Sequence, residues 1–148
     1  MDKIGSFETK EYRFLSNFYD APICYMGEVY KTAEHLYQSM KTLVDSEKDT
    51  IMNASSPGKA KRLGKTVTLR ADWESIKDRV MFHVCLCKFL QHKYLAVKLV
   101  ETGEAYLEEG NNWGDTYWGV CDGIGENKLG KILMQVRNIL DFKIGCSA

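Results

Sequence analysis

Between Asp72 and about His92, apolar side chains recur every three to four positions, at Trp73, Ile76, Val80, Val84 and Cys87, with Phe82, Phe89 and Leu90 widening the stripe. That spacing predicts the longest helix of the chain and makes it the central core element. The flanking segments carry helix punctuation. Thr32 can cap a helix running to about Val44, with Ala33, Leu36, Tyr37, Met40, Leu43 and Val44 on one face. Ser46 with Asp49 begins a second helix, and Ser56-Pro57 with Gly64 brackets a third between a cap and a C-terminal glycine. Tyr94 to Thr102, closed by Gly103, forms another. Asn127 can cap a last one, reaching Leu140 through Leu129, Ile132, Leu133 and Val136. Pro22 to Met26, Gly27-Glu28 and Val29 to Lys31 read as a hairpin. Six helices and a few short strands predict a mainly α (α+β) fold, and the 148 residues, 45% hydrophobic, fit one domain over positions 1–148.

Twenty basic and twenty acidic side chains cancel, so no global field holds a polyanion, and any nucleic acid would have to be gripped locally. The cysteines Cys24, Cys85, Cys87, Cys121 and Cys146 form an odd set without CxxC spacing. Cys85 and Cys87 stand about 200° apart on a helix and cannot share a zinc ion, so no metal site is expected. With no secretory h-region after Met1 and no apolar run near the roughly 20 residues a membrane span needs, the pattern predicts a reduced, cytoplasmic protein.

Five clusters fall outside the core pattern. In Asn112-Trp113-Gly114-Asp115-Thr116-Tyr117-Trp118-Gly119 a carboxylate stands between two tryptophans, each followed by glycine. This can be a ring-stacking wall approached closely by a flat ligand, or a tight strand whose indoles pack on a helix. Glu34, Gln38 and Lys41, at i, i+4 and i+7, fall within about 60° on the first helix and make one polar strip. That strip is either a solvated face or a core-edge group in which a carboxylate and an ammonium shift each other's pKa. His35 points about 100° away. Gly123 and Gly125, before the last helix and its Lys128 and Lys131, can offer backbone N–H groups to a phosphate or form a plain turn. In Phe14-Leu15-Ser16-Asn17-Phe18-Tyr19 an amide interrupts an aromatic run, as a recognition group or an Asx-turn. Lys59, Lys61, Arg62 and Lys65 read as a solvated face that could also meet phosphates.

Taken in order, Phe14 to Tyr19, Thr32-Ala33-Glu34-His35-Leu36-Tyr37-Gln38 with Lys41, Ser56 to Lys61, Asp72-Trp73, Trp113-Gly114-Asp115 with Tyr117-Trp118-Gly119, and Gly125 to Gly130 resemble the NADAR, or YbiA-like, family. The resemblance implies a mainly helical fold and cleavage of N-glycosidic bonds in ribosylated compounds. It implies two substrate classes: ADP-ribose derivatives, including ADP-ribose on guanine in nucleotides or DNA, and phosphoribosylamino-pyrimidine intermediates of riboflavin biosynthesis. Carried over by motif, Glu34, Lys41 and Asp115 are the catalytic candidates. Asn17, Phe18, His35, Gln38, Trp73, Trp113, Trp118 and Asn127 are the substrate-binding ones. A carboxyl at the core edge beside an aromatic suits Glu34 to acid/base work, and Asp115 to orienting ribose hydroxyls or water. Lys41 is either an imine-forming nucleophile or an ion-pair partner. No cofactor is expected. The expected partner is a small nucleotide or ADP-ribosylated substrate, ADP-ribosylated DNA included, with no membrane and an open oligomeric state. A non-catalytic ADP-ribose reader and an interaction domain are the competing functions.

Overall fold

The computed structural model describes residues 2–147, and its elements run β1 (Lys3–Ile4), a 3-10 turn (Arg13–Leu15), β2 (Ile23–Tyr25), β3 (Glu28–Tyr30), α1 (Ala33–Ser39), α2 (Asp45–Met52), α3 (Pro57–Gly64), α4 (Trp73–Gln91), α5 (Lys93–Glu101), β4 (Tyr106–Leu107), β5 (Gly110–Asn111), β6 (Val120–Cys121) and α6 (Lys128–Ser147). The class is mainly α, as the periodicities predict, with three two-stranded pairs among the described residues. Residues 17–91 form one compact unit, and the segments on either side of it form a second. Among the described residues, no helix is long and apolar enough to cross a membrane. The described cysteines, Cys24, Cys85, Cys87 and Cys121, are free thiols, and the side chain of Cys146 lies outside the described residues.

In the 17–91 unit, β2 and β3 pair antiparallel with Ile23 opposite Tyr30, joined by a two-residue turn at Met26 (φ 51°) and Gly27 (φ 81°). Two left-handed residues in succession are the primed turn that matches strand twist. The Thr32 hydroxyl accepts the His35 N–H and caps α1, which packs on α2, α3 and α4. The helix ends at Ser39 rather than near Val44. Beyond it the Lys41 carbonyl accepts the Arg70 N–H at 2.8 Å, and the Thr42 hydroxyl accepts the Val44 N–H at 3.1 Å. Those bonds replace the next helical turn, and they leave Leu43 and Val44 exposed instead of in the core. Ser46 is not a cap either: α2 starts at Asp45 with Val44 before it and no side-chain cap. For α3 the Ser56 cap and Pro57 stand as expected, but Gly64 is the last helical residue, followed by a right-handed Lys65. Ile51, Ala54 and Ala60 form a small core between α2 and α3, with Leu63 and Val67 packed on it. Along α4 the buried stripe is Trp73, Val80, Met81, Val84, Cys85, Lys88 and Phe89. It runs through Cys85 and a lysine rather than through Cys87 and Leu90.

In the other unit, β1 pairs parallel with β4 through Lys3 opposite Tyr106, and β5 pairs parallel with β6. The α6 helix packs on α5 and β4. It buries Leu129, Ile132, Leu133, Val136 and Leu140 as the spacing predicts, and runs a further seven residues, to Ser147. Arg137, also buried, donates to the Ala105 carbonyl at 2.8 Å and the Thr102 hydroxyl at 2.9 Å, which fastens the end of α5 to α6.

Candidate active site

The polar strip of α1 is not a solvated face. Glu34 is 7% exposed and Gln38 4%, and the Gln38 Nε2 donates to Glu34 Oε2 at 2.6 Å. A carboxylate removed from water in this way needs donors and nearby positive charge. Lys41 supplies the charge from just past the end of α1, half-buried, its Nζ 5.8 Å from the centre of the Tyr37 ring. Burial pushes the Lys41 amine below its usual value, the Glu34 charge opposes that fall, and Lys61, Lys65 and Lys77 reinforce it. Lys61 of α3 and Lys65 just past its end thus act on the cluster electrostatically. Trp73, at the start of α4, is buried with its ring 5.3 Å from that of Tyr37, tilted at 58°. It backs the cluster from the core side.

Asn17 joins the same group. Its carbonyl accepts the Glu34 N–H at 3.0 Å, its Nδ2 donates to the Met81 sulfur at 3.2 Å, and the residue is buried. Phe18, next to it, is 39% exposed. His35 has a different place. It is 0% exposed, with Nδ1 2.8 Å from the Thr32 hydroxyl and Nε2 3.0 Å from the Ala54 carbonyl. Nε2–H donates to the carbonyl and Nδ1 accepts from the hydroxyl, so both nitrogens are engaged and burial lowers the imidazole pKa. His35 ties α1 to the end of α2 instead of presenting a face to substrate.

The remaining candidates lie in the second unit, where residues 112–119 form an irregular loop and not a strand. Asn111, which the sequence reading passed over, grips the loop: its Oδ1 accepts the Asp115 N–H at 3.0 Å and its Nδ2 donates to the Asp115 carbonyl at 2.9 Å. Asp115 Oδ1 in turn accepts the N–H groups of Tyr117 (3.1 Å) and Trp118 (2.9 Å). Trp118 packs edge-on to Tyr117 at 4.9 Å. Trp113 is 50% exposed and lines an open cleft of about 630 Å³ with Lys3, Glu8, Glu108 and Asn112. Gly119 is small for an internal reason, since a Cβ there would collide with the Glu109 carbonyl and carboxylate rather than with any ligand.

The phosphate-cradle reading does not hold for the first N–H groups of α6. The N–H groups of Glu126, Asn127, Lys128 and Leu129 donate to the carbonyls of Thr116, Gly119, Tyr117 and Trp118, so the start of α6 is capped by the tryptophan loop. Asn127 is at the helix start, but with φ 52° its side chain turns back: Oδ1 accepts the Glu109 N–H at 2.9 Å and Nδ2 donates to the Leu107 carbonyl at 2.9 Å. It therefore braces the loop and the strand.

Lys88 was missed by the sequence reading. It is 1% exposed in α4, with Nζ 5.7 Å from the Tyr19 ring centre and 5.1 Å from that of Phe89, and burial lowers its pKa to about 8. Its signal was its place four residues after Val84 on the apolar stripe. Among the described residues, no group of three or more His, Cys, Asp or Glu side chains could hold a metal ion.

The NADAR domain matches residues 6–141 of the chain. The chain belongs to the NADAR family. N-glycosidase YbiA of Shigella flexneri serotype 5b is 39% identical over 133 residues, covering 88% of this chain and 82% of the relative. A riboflavin biosynthesis protein of Vibrio vulnificus is 37% identical over 130 residues, 86% of this chain but 35% of that longer protein. The NMR structure of the Escherichia coli protein YbiA superposes with a TM-score of 0.86 at 36% identity, covering 97% of this chain and 88% of that one. The NADAR match thus spans the Glu34–Lys41 cluster and the Trp113–Asn127 segment together.

Proposed function

We propose that this NADAR chain is a hydrolase of N-glycosyl bonds that cleaves the C1′–N bond of ribosylated nucleobase substrates, such as ADP-ribosylated guanine in a nucleotide or in DNA, and related ADP-ribose derivatives. The observation that carries the reading is the buried Glu34–Gln38 pair beside an amine that burial makes easier to deprotonate. A ligand reader needs stacking and phosphate contacts but no such acid/base pair. The N-glycosidase name of the Shigella relative supports the same bond type.

Cleavage at C1′ builds positive charge on the sugar. Glu34 delivers a proton to the departing nitrogen and takes one from the water that adds at C1′. The neutral amine of Lys41 offers a covalent version: its nitrogen bonds to C1′ as the C1′–N bond to the base breaks and Glu34 protonates the base, the C1′–O4′ bond then opens to an imine as a lysine proton passes to the ring oxygen, and water hydrolyses the imine to the sugar aldehyde and free lysine. In the other unit, taken by itself, Asp115 is the candidate for orienting ribose hydroxyls or water, and Trp113 and Trp118 are the candidates for stacking a base. Asn17 and Phe18 complete the binding set, while Gln38, buried and donating to Glu34, holds the carboxylate.

Incubation with ADP-ribosylated guanosine, ADP-ribosylated DNA, ADP-ribose, NAD and a phosphoribosylamino-pyrimidine, with detection of the products on both sides of the C1′–N bond, tests the reading. Release of free ADP-ribose from the first two, with the guanosine or the DNA guanine left intact, is expected. Tight binding without release from any of the five would leave a reader in place of an enzyme. Preferential cleavage of the pyrimidine would favour the second reading, to which the name of the Vibrio relative points. An isosteric Glu34→Gln variant should fold normally and lose about 10²-fold or more in turnover, and near-normal turnover would remove Glu34 from proton transfer.

A further inference from the structure

We propose that the Gln38 amide positions Glu34 in both of its protonation states by turning over, and that Gly64 is the residue that leaves it room to do so. The inference rests on Glu34 being the acid/base group. With Glu34 ionised, Nε2–H donates to Oε2 at 2.6 Å, a charge-assisted bond. The other end of the amide has no partner: Oε1 is buried and without a hydrogen bond. Buried acceptors are nearly always satisfied, so an unmet one on a residue touching the key carboxylate calls for a reason.

Gly64, at the end of α3, supplies it. A Cβ built there would collide with Oε1 and crowd the Cδ and Cβ of Gln38, so the amide occupies the space a side chain would fill. Because Oε1 meets no donor, no second hydrogen bond has to break for the amide to rotate. When Glu34 takes a proton, its O–H needs an acceptor, and a half turn about the Cγ–Cδ bond brings Oε1 to it while Nε2 moves toward Gly64. An amide is a neutral group that donates to a carboxylate and accepts from a carboxylic acid at one position. Other charged and titratable groups act on the cluster without turning with the amide: Lys41 and the Cys85 thiol of α4 act on Glu34, and Lys61, Lys65 and Lys77 act on Lys41.

The test is an NMR titration of the full chain with ¹⁵N in the glutamine side chains and ¹³C in the glutamate carboxyls. The Gln38 Nε2 resonances should shift with the midpoint of Glu34. In Gly64→Ala that shared midpoint should be lost, the Glu34 midpoint should move by about 0.5 unit or more, and kcat should fall about tenfold with KM within about twofold. Alanine favours a helix over glycine, so this loss is not a helix effect. On a Gln38→Ala background the same substitution should cost nothing further, because the colliding amide is gone. Should Gly64→Ala fail to fold, Gln38→Met removes donor and acceptor at similar volume and must also move the Glu34 midpoint. A Gln38 amide that stays unshifted through the Glu34 midpoint overturns the inference, as does a Gly64→Ala variant with unchanged midpoint and kcat. Were Glu34→Gln to remain active, the acid/base reading would fall by itself, and the two midpoints would still decide whether the amide turns.

Discussion

Lys41 and His35 show how two residues of one motif take opposite roles. Both pKa values fall mainly through burial, but Lys41 stands half-buried beside a carboxylate while His35 has no exposure and two fixed partners. For the amine, the neutral form reacts, so turnover should rise with pH on a limb centred below the usual lysine value of 10.5. Lys41→Arg keeps the charge and cannot form an imine, so it should abolish that limb and any borohydride-trapped adduct on this residue. A wild-type enzyme that yields no adduct under turnover would leave Lys41 as an electrostatic partner only. The strip itself was legible from the i, i+4, i+7 spacing. The separation of His35 from it was legible as an angle, but its partners were not, because Ala54 is nineteen residues away in the chain.

At the level of elements, the tryptophan loop and the start of α6 form one piece, held by Asn111, Asp115 and four carbonyls that cap the helix. Two roles for Asp115 are therefore separable by chemistry. Asp115→Asn keeps an oxygen for the Tyr117 and Trp118 N–H groups, whereas Asp115→Ala leaves both without it. The alanine variant should lose about 1–2 kcal/mol of stability, and the asparagine variant much less, by chemical denaturation. If the carboxylate also orients the ribose, asparagine should still lose turnover at near-native stability, and full activity in Asp115→Asn would confine the residue to holding the loop. The indoles and the acid were visible in sequence as a run that no core pattern requires. That Gly123 sits in a turn, that Gly125 lies close against the Gly119 backbone, and that the following N–H groups are already taken, was not visible, since a glycine-rich turn before a helix has the same sequence whether it meets an anion or a neighbouring loop.

For the molecule as a whole, Lys88 makes stability depend on alkaline pH. Its folded pKa is about 8 against an ordinary 10.5, so between those values the unfolded chain binds a proton that the folded chain does not. Stability therefore rises as pH increases through this window, and below it the full penalty for an ionised buried lysine applies. Urea denaturation at pH 7 and pH 10 should show the wild type gaining on the order of 2 kcal/mol relative to Lys88→Met, which lacks the titration. A difference between the two proteins that does not change with pH would mean that Lys88 is charged in the fold.

The sequence by itself determined the helices, the caps at Thr32 and Ser56, the hairpin and the ordered motifs that mark the family, because those follow from local propensity and from side-chain period. Tertiary structure decided where α1 stops, which side of α4 is buried, and what each polar group touches. Arg70 ends α1 by taking the Lys41 carbonyl, Lys88 lies on the apolar stripe of α4, and Gly64 makes space for Gln38 from another helix. Such contacts join residues far apart in the chain, and a hydrogen bond or a collision depends on position in space, which periodicity does not encode.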